Sequence, residues 1–202
     1  MNEALLKLTR SLYGLSLGVW AGAMVMLGIT AVSAFRVLPT FEPSLGVAPF
    51  HEPDFEGRAA SVLAGAVVNR SLQGLQVIGV VAPVVALACV ALQHTACRAA
   101  LTRRGGSKAN VARLTLLAAL VVLVAFDFGL GVYLRDALAA MYDAGSSIEA
   151  RAAARRRFDA MHGWGEIVNR ATLLVVVAAL LVSPFCFRPA DTTAPAGRRA
   201  TD

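Results

Sequence analysis

Between Ser11 and Phe35 the chain carries 25 consecutive residues without an Asp, Glu, Lys or Arg, and three further apolar runs come after it. A helix of that length spans about 37 Å, enough to cross a hydrocarbon core of about 30 Å with some tilt. Ser71 to Ala96 repeats the pattern, Leu114 to Leu134 is broken only by Asp127, and Ala171 to Phe187 is extendable backward through Val168 and Ile167. The runs predict an all-α integral membrane bundle with spans at about 11–35, 71–96, 114–134 and 168–187. Residues 1–189 then form one membrane domain with interfacial helical extensions, and 190–202 a disordered tail rich in Pro, Thr and Ala.

Charge bears this out. Only 16% of residues are charged against 57% hydrophobic, and the charges are bunched between the apolar runs. A net charge of +6 would suggest nucleic acid in a soluble protein, but the aromatics lie in apolar runs and are not interleaved with basic residues. The basic residues read instead as topology signals and lipid headgroup contacts. Cys89, Cys97 and Cys186 fall in or at the ends of apolar runs without C-x-x-C spacing, so neither a disulfide framework nor a zinc site is implied.

Taken in order, the first run reads as an uncleaved anchor. Its length exceeds the core of a signal peptide, although Ala-Val-Ser-Ala at 31–34 resembles a cleavage site. Gly14, Gly18 and Gly22 form a doubled G-x-x-x-G ridge on it, the pattern of a glycine zipper. Such a ridge admits close backbone approach, within the bundle or between two copies. Arg36 to Gly57 reads as an interfacial loop, with four prolines and three phenylalanines. The second span is expected to kink near Pro83. Arg98, Arg103, Arg104, Lys108 and Arg113 read as a connecting loop on the positive side, which puts that loop and both termini in the cytoplasm, at the inner membrane of a bacterium. Gly145-Ser146-Ser147 predicts a turn and a helix start.

The polar residues offer few sites. Asp159, His162, Glu166 and Asn169 share one helical face leading into the fourth span. His162 and Glu166, with Asp159, are weak metal-ligand candidates, and His51 and Asp54 are possible completing groups. No cofactor is expected; a bis-histidine haem site would need histidines inside facing spans, which His94 and His162 are not. Gly65 to Arg70 echoes Gly165 to Arg170, either as the trace of an internal duplication or as a chance match of apolar positions. Asp127 is the strongest candidate, since an ionisable group inside a span costs about 3 kcal/mol and is usually kept for a partner or pathway. It is expected to pair with Arg70 or Arg170, beside Asn69 and Asn169, as the floor of an outward-facing polar pocket. Without a nucleophile elbow, Walker loop or H-E-x-x-H, an enzyme is not expected.

Four spans, Trp20-x-Gly22 in the first, and Arg157-Phe158-Asp159 to His162 with Asn169 at the entry to the last together resemble the transmembrane-protein-205-like family. The likeness covers most of residues 10 to 187. It implies a four-helix integral membrane protein without agreed chemistry, in an accessory or stress-related role. A small transporter or metal-resistance protein and a structural assembly subunit are the alternatives.

Overall fold

The computed structural model describes residues 3–41, 59–101, 107–143 and 145–187. Among these the fold is all-α: α1 covers Glu3–Val37, α2 Ala59–Leu101, α3 Ser107–Met141 and α4 Ile148–Val182, with short 3-10 turns at Leu38–Phe41 and Ser183–Phe187. All four helices are long and apolar enough to cross a membrane. Helices of 35 residues, such as α1, α3 and α4, measure about 52 Å and overrun a hydrocarbon core at both ends. The span boundaries expected from the charge-free runs therefore mark segments within longer helices.

Several loop expectations change accordingly. Arg36 belongs to the last turn of α1, and residues 42–57 of the expected first loop, with His51 and Asp54, lie outside the described residues. Arg98 is in α2, while Lys108 and Arg113 are in α3, which leaves only Arg103 and Arg104 in the connection, outside the described residues. α2 continues through Pro83 as a single helix. The tail beyond Phe187 also lies outside what is described.

The start of α4 was legible. Ser147 is extended at φ −64° and ψ 158°, and its hydroxyl accepts the Ala150 N–H at 3.2 Å, so it caps the helix. Just before it, the Asp143 carboxylate accepts the Gly145 N–H at 3.0 Å and the Ser146 hydroxyl at 2.8 Å, closing the turn from α3. From Ile148 onward the chain is one continuous helix. The expected interfacial segment Ile148 to Arg157 and the fourth span are its two halves.

The helices pack as two close hairpins, α1 with α2 and α3 with α4, joined mainly by α1 against α4 and by a looser α2–α3 seam. Each helix buries a stripe stepping by three and four residues. On α1 it is Thr9, Tyr13, Leu17, Trp20 and Met24; on α2 it runs from Leu75 through Ala82, Ala86 and Cys89 to Gln93. α3 contributes Asn110, Arg113, Leu117 and Leu120, and α4 contributes Val168, Thr172, Val176 and Ala179. Such steps keep a seam on one side of each helix, as in left-handed bundles.

This seam corrects the role expected of Gly14, Gly18 and Gly22. A Cβ built on any of the three would meet nothing within 4 Å, so among the described residues no other helix packs against the ridge. α1 is held instead by its large side chains, with Trp20 lying over Gly79 of α2 at 3.7 Å from the position of a Cβ there. A stripe containing Tyr, Leu, Trp and Met makes far more dispersion contact than bare glycine backbone, and in a bilayer such packing drives association. On α2 the glycine that admits a close neighbour from α1 is Gly79, opposite the tryptophan.

Candidate functional site

Asp127 lies 20 residues from the start of α3 and 14 from its end, about 30 Å and 21 Å along the axis. It stands seven residues beyond Leu120 and continues the inward stripe of α3. Its carboxylate lines a cleft to which all four helices contribute: Trp20 from α1, Gln76 and Gly79 from α2, and Asn169 and Thr172 from α4. The interior is about 30 Å³, room for roughly two water molecules. Val80 and Phe128 also line it, and both are exposed on the outer surface, so the cleft opens sideways through the loose α2–α3 seam.

The expected partners of Asp127 are elsewhere. Arg170 donates to Glu166 Oε2 at 2.9 Å and Arg70 donates to Gln73 Oε1 at 3.0 Å, both on exposed faces. Helical phase explains this. Asn169 and Arg170 are neighbours, so their side chains leave the helix about 100° apart. With Asn169 facing the cleft alongside Thr172, Arg170 is turned outward to the carboxylate one turn before it. Among the described residues Asp127 has no hydrogen bond and no ion pair. The floor of the pocket is therefore a carboxylate among neutral amides and a hydroxyl, and the mouth is lateral.

The echo between the second and fourth helices is not carried into equivalent surroundings. Asn169 lines the cleft and Asn69 does not. Position 66 is Ala where position 166 is Glu, so Arg70 has no carboxylate one turn back and turns to Gln73.

The metal candidates form an exposed ladder along α4. Arg155 Nε lies 3.8 Å from Asp159 Oδ2, His162 Nε2 lies 3.9 Å from Glu166 Oε1, and His162 stacks on Phe158 with centroids 5.3 Å apart. Asp159 thus turns to Arg155 and not to His162. Among the described residues no three His, Cys, Asp or Glu side chains gather at a common point. None of the ladder lines the Asp127 cleft.

A second polar cluster, not foreseen, lies at the end of the bundle holding the start of α1. Arg113, expected in a solvated loop, is fully buried. Its Nη1 donates to Gln93 Oε1 at 2.9 Å, Gln93 Nε2 donates to Thr9 Oγ1 at 3.2 Å, and the Thr9 hydroxyl donates to Leu5 O at 3.0 Å. The guanidinium also sits 5.7 Å from the Tyr13 ring centre, a cation–π distance. This chain ties α1, α2 and α3 together.

Gln76, Thr172 and Trp20 were missed as cleft residues because none is charged. The available signal was heptad spacing: Asp127 is 14 residues after Arg113 on one stripe of α3.

The fold and cleft together define an all-α four-helix bundle of membrane-crossing length with a polar interior site. No family model, no characterised protein and no solved structure matches the chain.

Proposed function

We propose that this is a multi-pass integral membrane protein, with both termini cytoplasmic, that admits a small polar guest to the cleft at Asp127 and moves it as a small transporter. One observation carries the reading: a carboxylate deep in an apolar helix, without an ionic partner among the described residues, faces a cleft built by all four helices. A charge in that position is costly and in membrane proteins commonly marks a pathway or binding site. The accessory, stress-related role implied by the transmembrane-protein-205-like resemblance is compatible with this and supplies no chemistry of its own. His162 has no part in the site, which separates this reading from metal resistance through that residue.

The test is flux in proteoliposomes. Ammonium, sodium, choline and alkylammonium chlorides and glycerol are presented outside, and their movement is followed by light scattering and an entrapped pH dye. Movement of at least one probe should depend on the protein and fall in Asp127→Asn. Equal rates for wild type, Asp127→Asn and empty liposomes with every probe would remove the proposal.

A second reading, an assembly subunit, is favoured by the open face at Gly14, Gly18 and Gly22, where a second backbone would have room to approach. Native mass spectrometry of gently extracted protein decides it: a dimer lost in Gly18→Leu supports assembly, and a monomer in both removes it.

A further inference from the structure

The cleft differs from a water-filled vestibule in where it opens. Its polar groups lie inside the bundle, but the surface-exposed residues of its lining are Val80 and Phe128, 47% and 56% exposed, on facing edges of α2 and α3. In a bundle that spans a bilayer, that depth lies among acyl chains. A free inorganic cation entering there would cross hydrocarbon unshielded, at high cost. A molecule whose apolar tail remains in the bilayer while its polar head enters the cleft meets no such barrier.

The chemistry of the interior selects the head. Among the described residues Asp127 is the only ionisable group of the lining, so a bound head of single positive charge leaves the cleft neutral, whereas a phosphate or carboxylate would be repelled. Gln76, Asn169 and Thr172 supply oxygens that can accept from an N–H donor. Trp20 adds a ring able to face a cation. With room for about two water molecules inside, the interior suits a compact head group.

Building on the reading of the cleft as a guest site, we infer that the guest is an amphiphilic amine: a primary ammonium paired with Asp127, its alkyl chain leaving between Val80 and Phe128 into the bilayer. The ammonium donates its hydrogens to the carboxylate and to the neighbouring amide and hydroxyl oxygens, while the flanking side chains hold only the start of the tail. Gly131 belongs to the same device. A Cβ there would stand 2.7 Å from the Gln76 amide nitrogen, so this glycine keeps space for the amide above Asp127.

Trp20 makes the site observable. The chain has two tryptophans, and Trp164 is exposed on α4, so Trp164→Phe leaves Trp20 as the only indole. This protein, in phosphatidylcholine nanodiscs, is titrated with dodecylammonium, dodecanol and sodium chloride. Dodecylammonium should change Trp20 emission saturably, and the other two should not. Adding Asp127→Asn should weaken the response roughly tenfold or more. Val80→Trp alters only an exposed side chain at the mouth, so it should block dodecylammonium while leaving the melting profile unchanged; its occupancy is followed by displacement of a spin-labelled alkylammonium.

An equal response to dodecanol would show an apolar fissure, and a response to sodium chloride alone an inorganic-cation site; either overturns the inference. So does undiminished binding in Asp127→Asn or Val80→Trp. Failure here with Asp127-dependent flux of ammonium or sodium intact removes the amphiphile and leaves the proposed function. Saturable binding without flux removes transport and leaves the site.

Discussion

Arg113 and Asp127 occupy one inward stripe of α3, 14 residues and about 21 Å apart, and each faces a glutamine of α2. The arginine is met directly by Gln93, whereas the aspartate shares an open cleft with Gln76. The same helix therefore carries a closed ionisable site near one end and an open one deep in its length. At Arg113 a hydrogen-bonded chain runs from Nη1 to α1 and an aromatic face lies beside the guanidinium, and both offset part of the cost of burying the charge.

The closed site should be a stability element. Gln93→Leu removes the acceptor of a buried charge and should cost about 2 kcal/mol in denaturant unfolding. Adding Arg113→Leu should cost less than the sum of the single changes, since the charge left stranded is then gone. Additive costs would show that the two side chains act separately.

Gly131 should tolerate change in stability but not in site geometry. The atom that a Cβ would meet is the far end of the flexible Gln76 side chain, which can swing away. Gly131→Ala also gains helix propensity, so the net change in stability should lie within about 1 kcal/mol. Its alkylammonium response should nevertheless weaken, because the amide has left its place. A large loss of stability would show that Gln76 is locked.

Gly18→Leu tests the uncovered ridge. With open space around the new side chain, the melting temperature of the monomer in detergent should not change. A marked drop would mean that the ridge is covered in the protein as extracted, and would favour the assembly reading.

Asp143 supplies a pH dependence outside the spans. The Ser146 hydroxyl and then the Gly145 N–H hold its carboxyl below the usual carboxylate range. A folded value below the unfolded one means that the turn is stabilised at neutral pH and loses that stabilisation as pH falls through the depressed value. Amide protection at Gly145 and Ser146 should therefore fall in acid beyond the intrinsic exchange trend, and Asp143→Asn should abolish that step. Matching acid profiles in the two proteins would refute the assignment.

The four apolar runs were enough to specify an all-α bundle with helices of membrane-crossing length, because few other structures satisfy so many apolar residues in succession. Ser147 marked the start of α4, since a capping serine acts through its own local backbone. Asp127 was legible as an anomaly because its cost depends only on its position within an apolar run. Its partner was not. One residue of helical phase separates Asn169, which lines the cleft, from Arg170, which faces outward, and composition does not resolve 100° of rotation. Arg113 looked like a loop cation for the same reason: a basic residue beside an apolar run reads as a boundary until other helices bring a glutamine, a threonine and a tyrosine to it. The glycine ridge was visible as a pattern, but whether a backbone lies against it depends on which face of α1 turns inward. Competition between whole faces settles that, and here the large side chains from Tyr13 to Met24 bury more than the glycines can.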